Sequence, residues 1–245
     1  MRIIHQRPYH PFATKRTTGH LIGLSIIIFV PLLFLLLFSY VAKISLPSLF
    51  ENLGISLFRM GTACIISIVL GWLLAVFFYK GKRGDIALPV FDILQSFPIS
   101  AILPIAVFYL GSSGIVVIMF LVLEIIWPIL FSILSSLKLI RRDFIEAVKV
   151  SGISGLDYLH FFLIPVTTPG LITGTIIGLG NGWESLVATE IIVHTRLGLG
   201  NFFNAFSSNP QVTLLGILAF LAVIFSINKS IWLPLLEWSH NKMEE

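Results

Sequence analysis

Between two apolar runs the chain reads Leu139-Ile-Arg-Arg-Asp143-Phe-Ile-Glu146-Ala147-Val148-Lys-Val-Ser-Gly152, and apolar sequence resumes at Phe162-Leu-Ile-Pro165. Both flanks, residues 115–140 and 166–193, are apolar for longer than a bilayer crossing needs, which is roughly 20 residues for a core about 30 Å thick. Working outward, the same test finds runs at 20–42, 55–79, 87–111 and 212–239. The expectation is an all-α polytopic membrane protein with six transmembrane helices. Residues 1–19 form an N-terminal segment, 20–239 the membrane domain with its core at 55–239, 141–165 a polar loop, and 240–245 a tail. Composition agrees: 56% of residues are hydrophobic and 11% charged, and mean hydropathy is +0.97, far from the balance of a soluble domain.

The formal charge of +4 would suggest nucleic acid in a soluble chain, but its placement excludes that reading. Arg2, Arg7, Lys15 and Arg16 precede the first run, Lys80, Lys82 and Arg83 follow the second, Lys138, Arg141, Arg142 and Lys149 follow the fourth, and Lys242 follows the sixth. The alternate loops hold Lys43 and Arg196. Basic residues concentrate on the cytoplasmic side of membrane proteins, so both termini and the loop at 141–165 are expected in the cytoplasm. The first run is too long for a cleavable leader and lacks a small-residue cleavage site, so it is expected to remain as a span. The single cysteine, Cys64, lies inside an apolar run and excludes an internal disulfide or a cysteine metal cluster.

Span three carries Phe97-Pro98 and Leu103-Pro104, and span four Trp127-Pro128. Proline removes a helix bond, and groups freed at membrane depth need protein or water. These spans are therefore expected to line the bundle interior, with simple kinks for packing as the other reading. In span five Gly170, Gly174, Gly178 and Gly182 recur every fourth residue, which makes one face small enough for close helix approach. A straight helix over 166–193 would be roughly 42 Å long, so a break is expected at 180–182. Packing and path-lining both account for the glycine face.

The chain lacks GxxxxGK[ST], so no ATP site is expected, and it lacks His-Glu-x-x-His and Gly-x-Ser-x-Gly. Neither catalytic residues nor a metal are expected. Ionisable residues at membrane depth are costly and mark function: here Arg59, Asp92, Glu124, Glu184 and Glu190. Arg59 and the two span-five glutamates fall near the same outer side, so Arg59 either pairs with one of them or snorkels to the interface. Glu124 lies nearest mid-membrane, and Asp92 lies close to solvent. The translocation-path candidates are Arg59, Pro98, Pro104, Glu124, Gly182, Trp183, Glu184 and Glu190.

In the polar loop, residues 143–151 are expected to form a short helix with acids at its start, favourable to the dipole, ended by Gly152. Phe144, Ile145, Val148, Leu156 and Tyr158 give it more apolar surface than a solvated loop needs. A docking knob for another protein and a helix lying on headgroups both fit.

The spacing of this loop resembles the EAA loop of the permease subunits of bacterial and archaeal ABC importers. That pattern is Glu-Ala-Ala, three residues, Gly, nine residues, an aliphatic, one residue, Leu-Pro. The chain supplies Glu146-Ala147-Val148, Gly152, Phe162 and Ile164-Pro165 at those offsets, departing at Val148, Phe162 and Ile164. Three other stretches resemble the nitrate/sulfonate/taurine class of these permeases: Ile55-Ser-Leu-Phe-Arg59 with Gly71; Gln95-Ser-Phe-Pro98 through Pro104 with Tyr109-Leu-Gly111; and Trp183-Glu184 through Glu190. Together they cover about 55–193.

The resemblance implies the type I ABC importer permease fold with a cytoplasmic coupling (EAA) helix. It gives ATPase coupling to Asp143, Glu146, Ala147, Gly152, Leu156, Asp157, Tyr158 and Pro165. It implies ABC ATPase subunits that bind the ATP, an extracytoplasmic solute-binding protein, and a second permease, here a second copy of the chain or else a different one. The implied location is the cell membrane of a bacterium or archaeon, and the implied cargo a small anionic solute. A permease of another ABC importer class is one alternative. A channel or secondary transporter is another, which would need no docking loop and would show inverted repeats.

Overall fold

The four glycines at 170, 174, 178 and 182 decide how the bundle packs. In the computed structural model, which describes residues 19–79, 81–140, 142–232 and 234–238, they sit on α8 (Ile164–Val193) against α5 (Gly114–Lys138). A Cβ added at Gly174 would stand 2.6 Å from Ile129 Cα and 2.7 Å from Pro128 O, and one at Gly178 would stand 2.8 Å from Ile125 O. The two helices thus meet nearly backbone to backbone, with Ile125, Ile129 and Ile133 fully buried in the seam. Small interface residues give this close approach where lipid supplies no hydrophobic drive between helices.

The expected break at 180–182 is absent: α8 is one continuous helix of 30 residues. Each interior glycine costs a helix roughly 1 kcal/mol against alanine, but in α8 the tight contact with α5 offsets that cost. A Cβ at Gly180 would meet nothing within 4 Å, so that glycine is carried by its neighbours and not by the seam.

The remaining elements are α1 (Gly19–Ala42), α2 (Leu46–Phe78), α3 (Gly81–Gln95), α4 (Ile99–Leu110), α6 (Arg142–Val150), α7 (Gly155–Tyr158), α9 (Leu199–Ala205) and α10 (Pro210–Ile227). The chain runs from α7 through a π-helical turn, Leu159–Leu163, directly into α8. Helix α2 begins nine residues before the expected start at 55, because Pro47 opens its first turn and Leu49 and Leu53 are buried beside Phe38, Leu199 and Phe202. Ser113 and Asn209 cap α5 and α10, accepting from the amides of Val116 and Val212. Helix α1 rests on α10, where Ser226 Oγ donates to Ile27 O at 2.6 Å.

The span expected at 87–111 is not one helix. Helices α3 and α4 are bent by 77° at the Ser96–Pro98 break, where Pro98 heads α4, whereas Pro89 and Pro104 sit inside their helices without ending them. Among the described residues four helices are long and apolar enough to cross a membrane: Leu46–Phe78, Gly114–Lys138, Gly155–Val193 and Pro210–Trp238. The α3–α4 pair makes a fifth if counted as one span, and the described apolar part of α1, Ile26–Ala42, is shorter. Of the segments expected at 1–19 and 240–245, residues 1–18 and 240–245 lie outside the described residues, as do Lys80 and Arg141.

Candidate functional site

At the α9 end of the bundle, Asn52, Ser56 and Arg59 share one face of α2 at helical spacing. Glu190 projects towards them from the last turn of α8. Arg59 Nη1 and Glu190 Oε1 form an ion pair at 2.5 Å, with the side chains 11% and 0% exposed. Ser56 Oγ lies 2.8 and 2.9 Å from the two carboxylate oxygens, and the Gly200 amide donates to Oε2 at 2.9 Å. The same side chains hold the loop after α8. Arg59 Nη1 donates to Leu197 O, the Gly198 amide donates to Asn52 Oδ1, and the Leu199 amide donates to Ser56 Oγ. Gly198 has φ +138, and a Cβ there would stand 2.5 Å from Glu190 Oε2. The arrangement is a closed lock in which every oxygen of Glu190 is matched by donors, the condition under which a buried charge is tolerated. Of the two glutamates open to Arg59 from sequence, Glu190 is the partner.

A cavity of about 560 Å³ opens between the α3–α4 elbow, α5 and α8. Ser96, Pro98 and Ser100 line one wall, Glu124 and Trp127 another, and Asn181, Glu184 and Ser185 a third. The α8 residues follow helical spacing, so one stripe of that helix is polar, and Asn181 and Glu184 are exposed. Of the path candidates, Pro98, Glu124 and Glu184 line this cavity. Pro104 is exposed elsewhere on α4. Gly182 abuts Ile125 and Met60 in the seam. Trp183 is buried against Phe220, with ring centroids 5.7 Å apart. Arg59 and Glu190 belong to the lock and not to the cavity wall.

Gln95, Ser96, Ser100, Asn181, Ser185 and Thr189 also line the cavity and were missed from sequence. Polar residues recurring at 181, 184, 185 and 189 inside an apolar run were the readable signal. Asp92 is exposed and accepts from Gln95 Nε2 at 2.8 Å, orienting that wall residue.

At the opposite end, α6 carries Asp143, Glu146 and Ala147 exposed, with Ile145 and Val148 partly buried beneath them. Gly152 ends the helix with φ +71, a left-handed conformation that glycine adopts without strain. Gly152, Leu156, Asp157 and Pro165 are exposed. Leu156 is 81% and Val150 88% exposed, beside Phe144 at 52%. Below this surface Phe144 and Tyr158 pack on buried Phe162 at 5.6 and 4.9 Å. Tyr158 and Tyr79 hydroxyls lie 3.2 Å apart, and Trp72 Nε1 donates to Thr167 Oγ1 at 3.0 Å. The α6–α7 segment thereby meets Tyr79 at the end of α2 and Phe162 in the turn that enters α8, and Trp72–Thr167 ties α2 to α8 beside it. Among the described residues no cluster of His, Cys, Asp and Glu could hold a metal.

Comparison with known proteins yields one family, the binding-protein-dependent transport system inner membrane component, which matches residues 67–231. The chain is 32% identical over 179 residues to the taurine transport system permease protein TauC of Escherichia coli (strain K12), covering 72% of this chain and 64% of that protein. It is 31% identical over 173 residues to the nitrate import permease protein NrtB of Leptolyngbya laminosa, covering 68% and 61%. It is 30% identical over 122 residues to the bicarbonate transport system permease protein CmpB of Synechocystis sp. (strain ATCC 27184 / PCC 6803 / Kazusa), covering 49% and 44%. The chain thus spans less than two thirds of the length of these relatives.

Proposed function

This chain belongs to the family of binding-protein-dependent transport system inner membrane components, and we propose on that premise that it is the permease subunit of an ATP-driven ABC importer. It forms half of the path for a small anionic solute, as the taurine, nitrate and bicarbonate systems of its relatives suggest. Six spans cross the cell membrane of a bacterium or archaeon, with both termini and the α6–α7 segment in the cytoplasm. ABC ATPase subunits bind the ATP and dock on α6–α7, and an extracytoplasmic solute-binding protein delivers the solute at the α9 end. A second permease, a second copy of this chain, faces the polar stripe of α8 and completes the path. Exposed Glu184 and Asn181 support that placement, because a carboxylate facing lipid at that depth would cost at least a few kcal/mol.

One observation carries the coupling role: α6 and α7 present acidic and apolar side chains outward while packed beneath on Tyr79 at the end of α2 and on Phe162 in the turn that enters α8. Such a knob combines a protein-docking surface with a rigid linkage into the cavity wall. Glu146 would meet basic or donor groups of the ATPase, and Gly152 sets the angle at which α6 leaves the bundle.

The test is affinity purification of the chain with its ATPase from membranes, followed by ATP-dependent uptake in proteoliposomes. Glu146→Lys and Gly152→Pro are expected to leave the protein inserted while uncoupling uptake. Retention of both ATPase association and uptake in the two variants would refute the coupling role.

A further inference from the structure

Resting on the reading that puts the end of α2 and the start of α3 in the cytoplasm, we propose that this corner holds an anionic phospholipid of the inner leaflet. Its phosphate lies on Arg83, with Lys82 beside it, and its acyl chains lie along the outer ridge of α3.

A Cβ added at Gly84 would stand 2.6 Å from Phe78 O, so the first turn of α3 is pressed onto the end of α2. That contact turns Gly84 inward and leaves Lys82 and Arg83 exposed. Arg83 Cζ lies 4.8 Å from the centre of the Phe77 ring, and Phe77 is itself exposed. A guanidinium laid on a ring is held by its face, which keeps its planar fork of N–H groups free for two phosphate oxygens. Neither Lys82 nor Arg83 forms an ion pair with another described residue; the pair that does form is Arg59–Glu190.

Ile86, Val90 and Leu94 follow Arg83 at helical spacing, and all three are exposed, Ile86 by 70%. The other face of α3 is already used: Ala87 is buried, and Phe91 packs on Phe78 and Trp127. Asp85 and Asp92 fall roughly half a turn round the helix from Arg83, so the line below that cation carries no carboxylate. Asp85 stands one turn on from Lys82, so Arg83 carries the recognition and Lys82 adds to it. A soluble anion would match the cations alone, and an apolar helix the ridge alone. A phospholipid of negative charge matches both, with its phosphate at the surface and its chains beneath.

The experiment uses the purified chain with its ATPase subunits, incubated in mild detergent with an equal mixture of phosphatidylglycerol and phosphatidylcholine. Native mass spectrometry counts the lipids retained. The parent is expected to retain phosphatidylglycerol over phosphatidylcholine, and Arg83→Ala to lower that preference by about fivefold, the weight of one basic residue near an anionic surface. Arg83→Lys keeps the charge without the fork and should fall between the two. Lys229→Ala, which removes an exposed cation in the turn after α10, should leave the preference unchanged. Inorganic phosphate should not displace the lipid, since it leaves the ridge uncovered. Because Arg83 is exposed, thermal unfolding of its variants should match the parent.

Equal retention of both lipids, a parent-like preference in Arg83→Ala, an equal loss in Lys229→Ala, or displacement by inorganic phosphate overturns the lipid site. A parent-like preference joined to loss of the ATPase would give the corner to a protein partner instead. Topology is read separately: Lys82→Cys in sealed vesicles should react with a membrane-impermeant maleimide from the cytoplasmic side, the native Cys64 being buried. Labelling from the other side overturns the cytoplasmic placement, whatever the lipid result.

Discussion

Replacing Arg59 with methionine removes the cation of the lock while keeping a side chain of similar length. Glu190, with its side chain fully buried, is left with the Ser56 hydroxyl and the Gly200 amide. Deleting one partner of a buried ion pair typically costs about 3–5 kcal/mol, because the survivor stays buried and uncompensated. For a chain of this size each kcal/mol lowers Tm by about 2–4 °C, so the melt should fall by roughly 6–20 °C. The loss should be local first, since Arg59 also holds Leu197 O. Exposed Arg196 should therefore become a faster tryptic site. Differential scanning fluorimetry in detergent gives the melt, and timed proteolysis gives the loop. The double variant Arg59→Met/Glu190→Gln should lose at least about 1 kcal/mol less than the sum of the two single variants. A melt within 2 °C of the parent, or strict additivity, would refute the lock.

Gly174→Val drives a side chain into Ile129 and Pro128 O, an overpacking expected to cost about 1–3 kcal/mol or more. Gly180→Ala, with open space around it, should be neutral or stabilise by up to about 1 kcal/mol; equal melts for the two would refute the seam. Gly198→Ala combines a φ of +138 with a Cβ against the Glu190 carboxylate. It should cost at least about 1–3 kcal/mol and open the same tryptic site as Arg59→Met. Tyr158→Phe removes the hydroxyl facing Tyr79, a loss of about 0.5–1.5 kcal/mol. It should lower uptake per ATP hydrolysed while ATPase association persists; unchanged stoichiometry would show that this contact transmits nothing.

The membrane character, the short helix ended by Gly152 and the helix start at Pro165 were legible because each rests on a local rule: apolar length, left-handed glycine, proline in a first turn. The Arg59–Glu190 pair was legible only as one of two pairings, since depth along a span does not fix rotation about it. The continuous α8 was misread because glycine propensity is local, whereas the offsetting contact comes from Ile125 and Ile129 some fifty residues away. The elbow at Pro98 was misread in degree. Proline signals a disturbance, but a 77° bend also depends on what packs around Ser96 and Phe97. The cavity wall was partly missed because serine and asparagine in an apolar run read as noise until α5 and the elbow surround them.

These contacts also imply how the proposed drive would reach the cavity. Helix α2 is joined to α8 at one end by Arg59–Glu190 and nearer the other by Trp72–Thr167, and Tyr79 just past its end meets Tyr158 of α7. Helix α8 is joined to α5 along the glycine seam. Three helices joined in this way would take up the proposed push on α6, passed on through Phe144 and Phe162, as one body, since packed interiors transmit displacement instead of absorbing it. The α3–α4 elbow is tied at its flanks, where Phe91 packs on Phe78 and Trp127 and Leu103 is buried, while the stretch Gln95–Pro98 between them is exposed throughout. In the proposed coupling, a displacement delivered at α6 would move the stitched body, which carries Glu124 and Glu184, against the exposed stretch of the elbow, which carries Gln95 and Ser96. On that proposal the acids would move together, and the stretch opposite them would be the wall that opens.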